Sequence, residues 1–254
     1  MLKDYATLLL FAHVIGDFYI QTQSQAKRKA QSMKWVWLHC LFYWLVVLLL
    51  SCVVLSGPTL LFGTAAALAH TLIDVLKYLY TVRFRKKPMT IKAERNVFFA
   101  DQALHLLCII LIAYFFVSWQ NTLQVVTCAR NFQEISGLSA RVLLKWAFAL
   151  TVIAKPLNLA ISFLLAPYKP EEKKDETPEI KAADKNAGRF IGILERTIII
   201  VFISLGQYAA IGLVLTAKSI ARYDKISKDP AFAEYYLLGT LLSTLAAVGI
   251  SFVF

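Results

Sequence analysis

Apolar residues come in blocks along this chain, each long enough to cross a hydrocarbon core of ~30 Å, with short basic or turn-forming stretches between them. The blocks run over Tyr5–Gln23, Trp35–Leu55, Thr59–Thr81, Asn96–Trp119, Ala140–Ala166, Gly188–Thr216 and Glu234–Phe254. They predict an all-α fold, a polytopic transmembrane helical bundle of about seven spans. In the first four blocks the apolar pattern is broken at helical spacing. His13, Asp17 and Gln21 share one stripe of the first block, and His70, Asp74 and Lys77 share one face of the third. A stripe from Glu94 through Asp101, His105 and Cys108 enters the fourth, and His39 stands alone near the start of the second. Residues four apart lie on one side of a helix, so each histidine-aspartate pair points one way.

The connections suggest an orientation. Lys27, Arg28, Lys29 and Lys34, then Arg83, Arg85, Lys86, Lys87, Lys92 and Arg95, predict that loops 24–34 and 82–95 are cytoplasmic. Alternation then puts the amino terminus outside and the carboxyl terminus inside. It also puts Lys218, Arg222, Lys225 and Lys228 outside, against the charge rule. Either the fifth or sixth segment does not fully cross, or those cations are kept there for a purpose. Gln120–Gly137 reads as a non-cytoplasmic loop or surface helix, and Pro156 as a kink in the fifth block. Pro167–Ala187, with six acids and five lysines, reads as a solvated cytoplasmic linker. One membrane domain thus accounts for the length: 1–119 a four-span His/Asp cluster, 120–166 a loop and the fifth span, 167–187 the linker, 188–254 the last two spans.

Composition narrows the classes. The 254 residues are 58% hydrophobic, which argues against a soluble domain. A net charge of +11 would suggest nucleic acid in a soluble protein, but the cations here sit in loops. Retention of those loops and attraction to membrane lipid explain them, and no nucleic-acid partner is expected. Cys40, Cys52, Cys108 and Cys128 have no paired spacing and read as small core residues. Met1–Ala30 lacks the features of a secretory signal peptide, so the first segment is expected to stay in the mature protein. The chain has no Gly-rich phosphate loop, nucleophile elbow or Cys-His arrangement, which argues against nucleotide-driven pumping.

All four histidines of the chain fall between His13 and His105, together with three carboxylates set in apolar sequence. At ~1.5 Å of rise per residue, Asp17, Asp74 and Asp101 lie roughly a third of the way in from the basic loops, with His39 beside them. His13, His70 and His105 lie one turn deeper. An aspartate at the centre of a span costs ~2.5 to 3.5 kcal/mol, so three of them need compensation. A divalent cation supplies it. Imidazole and carboxylate suit Zn²⁺, Fe²⁺ or Mn²⁺, and His13, Asp17, His39, His70, Asp74, Asp101 and His105 are enough for one or two ions. A proton relay and a purely structural hydrogen-bond network use the same residues.

A second polar set lies in the carboxyl-terminal half. Glu195 can act as general base toward metal-bound water, as can Asp17. Arg196, Lys218 and Arg222, with Gln21 from the first span, are candidate substrate-binding residues, the cations suiting an anionic head group or phosphate. The plainer reading is an Arg196–Glu195 pair anchoring span six and cations snorkelling to a membrane edge. Lys77, one turn below Asp74, can neutralise that acid.

Residues 12–18 (Ala-His-Val-Ile-Gly-Asp-Phe), Gln21, His39, His70 to Asp74, and Asp101-Gln102 to His105 resemble an uncharacterised family of bacterial and phage membrane proteins, known as a domain of unknown function. Gly192 to Arg196 and Lys218-Ser219 to Arg222-Tyr223 resemble that family's carboxyl-terminal pattern. The resemblance implies no established activity. A weaker likeness is to bacterial inner-membrane proteins described as metal-dependent hydrolases. The seven-span zinc amidohydrolase superfamily of alkaline ceramidases and adiponectin receptors is similar in architecture, but this chain lacks its HxxxH pair in the last span.

These readings converge on an expectation: an intramembrane metal-dependent hydrolase of the bacterial inner membrane, with zinc as its metal and a lipid-like or phosphoester substrate. The alternative is a metal-ion or proton transporter using the same cluster. A third possibility is a non-catalytic accessory or defence-related membrane protein in which the metal is structural.

Overall fold

Many large hydrophobic side chains of this protein point outward and several charged ones inward, unlike those of a soluble bundle. In the computed structural model, which describes residues 1–54, 56–83, 90–119, 122–170 and 178–253, all regular structure is helical. Leu49, Leu61, Leu68, Leu72, Leu107 and Phe115 are exposed, while His13, His39, His70, Asp74, Asp101, His105, Glu195 and Arg196 are buried. Among the described residues five helical stretches are long and apolar enough to span a bilayer: Met33–Val54, Gly57–Val82, Ile91–Ser118, Ala140–Tyr168 and Pro230–Ser251. Such exposure is stable only in lipid, and the protein is an integral membrane protein.

Within what the sequence presents as one membrane domain, the chain packs as two compact units, Met1–Thr151 and Val152–Phe254. The first opens with α1 (Leu2–Val14), which continues without a break as a π-helical turn over Ile15–Ile20. Next come α2 (Gln23–Lys29), α3 (Met33–Ser51), α4 (Gly57–Arg83) and α5 (Ile91–Ser118). Helix α1 packs on α3 and α5, and α4 packs on the same two, so the four close into a ring. The histidine-aspartate stripes face its interior. Thr22 caps α2 with a reciprocal Gln25 contact, and Thr90 caps α5, each oxygen accepting from a backbone N–H that a helix start leaves unpaired. Residues 84–89 of the basic loop lie outside the described residues.

The half of the ring far from the basic loops is apolar. Tyr5, Leu8, Leu9, Phe62, Ile109 and Phe116 form one buried cluster there, with the Tyr5 and Phe116 rings stacked 4.0 Å apart. The Tyr5 hydroxyl donates to the Thr59 carbonyl, which spares it an unpaired polar atom. After the ring, α6 (Thr127–Ser136) has no buried residue, as the surface-helix reading of this stretch expects. Helix α7 (Ala140–Ala154) carries the boundary between units and ends where Pro156 opens α8 (Pro156–Leu165). The expected kink falls here, with Lys155 alone between the two helices, because proline cannot donate into the ladder and clashes with the preceding turn.

The second unit differs from the sequence reading at two places. Helix α9 (Pro178–Ser204) begins about ten residues before the expected Gly188, inside the stretch read as linker. Pro178 stands at its first position, where a missing N–H costs nothing. Residues 171–177 of the linker lie outside the described residues. The expected sixth span, Gly188–Thr216, is not one helix. It stops at Ser204, turns at Gly206 with φ +70°, and returns as α10 (Tyr208–Ile220) packed against α9. Only glycine takes that left-handed backbone without strain. The alternation that put Lys218 to Lys228 on the wrong side assumed a single crossing, and this hairpin removes that assumption. Helix α11 (Tyr223–Lys228) leads to α12 (Pro230–Ser251), capped by Asp229, whose side chain accepts from the Phe232 N–H at 3.0 Å. Helix α12 packs on α8 and α9.

Replacing Gly206 by alanine is expected to destabilise the second unit by about 1–2 kcal/mol, and by asparagine much less. Equilibrium unfolding of the purified protein in mild detergent measures both.

Candidate metal centre

The site is built where α1 loosens. Asp17 sits in the π-helical turn, a wound form that recurs at functional sites because it re-aims side chains within an otherwise regular helix. Gly16, beside it, is buried against Tyr43; a methyl group there would meet the Tyr43 Cδ2 at 2.6 Å. Tyr43 in turn lies flat on His70, ring centroids 3.6 Å apart and 5° from parallel. The missing side chain of Gly16 therefore lets Tyr43 fix the plane of a site imidazole. Gly16→Ala is expected to cost about 1–3 kcal/mol by overpacking and to displace His70. Gly63→Ala, which meets Val47 and Ser51 at 3.1 and 3.2 Å, is the milder control in the same unfolding measurement.

Four atoms converge beside that stack. His39 Nε2 lies 3.1 Å from Asp17 Oδ1, 3.2 Å from His70 Nε2 and 3.3 Å from Asp74 Oδ2. His70 Nε2 lies 3.3 Å from Asp74 Oδ2 and 3.5 Å from Asp17 Oδ1. Two imidazole nitrogens facing each other at that distance share at most one hydrogen, so at least one lone pair points into the group. Beyond these atoms lies the deeper layer of rings. His105 is 4.5 Å from His70 and 4.9 Å from His13, centroid to centroid.

The hydrogen bonds sort the histidines into roles. His105 Nδ1 donates to the Asp101 carbonyl oxygen at 2.8 Å, which leaves its buried Nε2 as an acceptor with no partner among the described residues. Gln102 donates its amide to Asp101 Oδ2 and so turns its oxygen to His13, whose Nε2 donates at 3.3 Å. His13 is thus committed to Gln102 and stands 3.9 Å from Asp17 Oδ2. Three sets bring ligand atoms within 4.8 Å of one another: His13, Asp17, His70; His39, His70, Asp74; and Asp74, Asp101, His105. All seven histidines and aspartates read from the sequence therefore belong to one connected group.

Two lysines complete it. Lys29, from α2, donates to Asp74 Oδ2 at 2.5 Å, and Lys77, from α4, donates to Asp101 Oδ2 at 2.7 Å. Burial alone would lower the Lys29 ammonium, but the adjoining Asp74 carboxylate holds it above the ordinary lysine value, so it stays charged. Lys77 pairs across to α5, not with Asp74 on its own helix, because Lys29 already holds that carboxylate. Three carboxylates against two ammonium groups leave one negative charge in the cluster when the imidazoles are neutral.

The second polar set is organised differently from its sequence reading. Glu195 does not pair with Arg196, since adjacent residues on a helix face different ways. Lys218, returning on α10, donates to Glu195 Oε2 at 2.6 Å and to Thr240 Oγ1 at 3.1 Å. Arg196 donates to Asn158 Oδ1 at 2.6 Å, to the Ile153 carbonyl at 3.2 Å and to Ser243 Oγ at 3.1 Å. Its guanidinium thereby satisfies backbone freed where Pro156 breaks the helix, a need that lipid cannot meet. Arg222 is exposed at the start of α11, and Gln21 lies just past the π-helical turn with extended backbone. Sequence reasoning missed Lys29, Tyr43, Gly16 and Gln102 as parts of the site. Only Gln102, next to Asp101, carried a signal that spacing can reveal.

A ring of membrane helices with a buried histidine-aspartate cluster defines the class: a helical integral membrane protein with a candidate metal centre. The chain belongs to the family described as protein of unknown function (DUF3307), whose model matches residues 6–132. That stretch contains every histidine and aspartate of the cluster together with Lys29 and Lys77. No curated protein and no solved structure matches the chain.

Proposed function

We propose that the protein is an intramembrane metal-dependent hydrolase whose ion is held by His39, His70 and the carboxylates of Asp17 and Asp74. The observation that carries this reading is the spacing of those four atoms. A tetrahedral ion with bonds of ~2.0–2.2 Å has ligand atoms about 3.3–3.6 Å apart along its edges. The five measured separations span 3.1–3.5 Å. Imidazole and carboxylate donors without thiolate suit zinc, and a divalent ion offsets the cluster's remaining negative charge.

A hydrolytic site needs three protein ligands and a position for water. His39, His70 and one carboxylate supply the ligands. Water would take the fourth corner in place of the other carboxylate, which would stand beside it and accept its proton, the chemistry a bound ion would supply by lowering the pKa of that water toward ~7. Such a water would add to the carbonyl carbon or phosphorus of an ester, amide or phosphoester in a lipid-like substrate, and the alcohol or amine that departs would take the proton back from the carboxylate. Asp74, whose Oδ2 is held charged by Lys29, suits the ligand position, and Asp17, which has no ammonium partner among the described residues, is the carboxylate left to take the proton. His105 Nε2 with Asp101 and Asp74 is the place for a second ion. Glu195, already paired with Lys218, serves its own unit.

The apolar cluster of Tyr5, Leu8, Leu9, Phe62, Ile109 and Phe116 supports an enzyme over a transporter, because among the described residues it packs the ring beyond the histidines with mainly apolar side chains. The proposed setting is the bacterial inner membrane, with the amino terminus outside and loops 24–34 and 82–95 cytoplasmic.

Protein purified without chelator is expected to carry stoichiometric transition metal and to release product from a lipid extract. Asp101→Asn is expected to lower turnover at least tenfold while the protein stays folded. Metal-loaded protein that moves cations across liposomes with no turnover of any lipid would favour the transporter.

A further inference from the structure

A cleft opens beside His39, between the start of α3 and the segment that follows the π-helical turn. Its walls include Gln21, Gln25, Trp35, Leu38, His39 and Phe42, and it is a shallow groove whose sheltered volume is about 10 Å³. A ligand would therefore lie along the groove, open to its surroundings, and not inside a cavity. The cleft is graded along α3. At its start stand Arg28, whose guanidinium lies 4.9 Å over the Trp35 ring, and Lys34. Next come the two glutamine side chains. Gln25 spends its carbonyl oxygen on the Thr22 N–H, so what it offers a ligand is its amide donor. Two turns further on, Leu38 and Phe42 are 37% and 38% exposed and continue into the lipid-facing surface of Trp37, Leu41 and Leu45. Trp35 to Phe42 covers ~10 Å of helix, the depth from a head group to the first methylenes of a chain.

Cations, then amide donors, then an apolar wall open to lipid form the complement of one kind of molecule. We propose that this cleft binds a single anionic phospholipid-type amphiphile. Its phosphate lies at Arg28 and Lys34, its ester oxygens accept from Gln21 and Gln25, and its chain runs along Leu38 and Phe42. The substrate of the metal centre is then a lipid that arrives sideways from the membrane, with its head-group linkage beside His39. This last step rests on the hydrolase reading; the binding does not.

The test uses the full chain in phosphatidylcholine nanodiscs carrying a trace of photoactivatable phosphatidylglycerol or photoactivatable phosphatidylcholine, with crosslinks mapped by peptide mass spectrometry. The glycerol lipid is expected to label residues 35–42 in preference to the choline lipid. Leu38→Trp, which fills the cleft, should abolish that preference. Arg28→Gln with Lys34→Gln should weaken labelling by about fivefold per cation removed. Labelling of the lipid face of α5 should stay unchanged in both. Excess unlabelled phosphatidylglycerol should compete, and equal inorganic phosphate should not. Equal labelling by both lipids, labelling that survives Leu38→Trp, or displacement by phosphate as effective as by lipid would each overturn the proposal. Metal content measured on the same samples separates the two ideas. Labelling without metal rejects the hydrolase and keeps the lipid site, and metal without labelling does the reverse.

Discussion

If the proposed metal centre exists, His39→Ala is expected to abolish its metal binding, while His13→Ala retains most of it. The two residues are indistinguishable by type and burial, and both face the interior of the same ring. They differ in what their nitrogens do. His39 Nε2 is a corner shared with Asp17, His70 and Asp74, whereas His13 Nε2 donates its hydrogen to Gln102. Removing an outer partner of a metal site costs about 10–100-fold in affinity, and removing a ligand costs more. His39→Ala should therefore lose more than 100-fold, and His13→Ala at most that outer-partner amount. Metal titration with a competing chelator reads both. Equal loss in the two variants, or none in His39→Ala, would remove the tetrahedral assignment.

The second large effect lies away from the metal. Lys218→Met leaves the Glu195 carboxylate buried without its ammonium partner, and breaking one side of such a pair costs about 3–5 kcal/mol. Adding Glu195→Leu in the same chain should recover most of that loss, because the penalty belongs to the stranded charge. Denaturant titration in detergent measures the single variants and the double. A single variant as stable as the parent would mean that Glu195 takes up a proton or finds another cation.

Several features of this molecule are legible in its residues, and the reasons others are not are physical. The spacing of His13 with Asp17, His70 with Asp74, and Asp101 with His105 foretells three inward-facing pairs, because helix geometry alone fixes which residues share a side. Lys29 is hidden by its surroundings: in a run of three cations any member looks like a contact for lipid head groups, and only the packed chain shows which one turns inward. Tyr43 and Gly16 are hidden by their chemistry, since an aromatic ring and a glycine in an apolar span have ordinary packing explanations. The turn at Gly206 escapes notice because uncharged apolar sequence continues on both sides of it. In a membrane span a left-handed glycine leaves no trace in hydropathy.

That turn also bears on how the chain enters the bilayer. Helix α9 carries charges that keep it out of the set of readily inserted spans, and α10 is apolar but too short to cross. Neither arm is stable in hydrocarbon alone, since Glu195 on one and Lys218 on the other reach neutrality only when the arms meet. Meeting as a hairpin lets both arms enter hydrocarbon as an ion pair, at less cost than either charge buried alone.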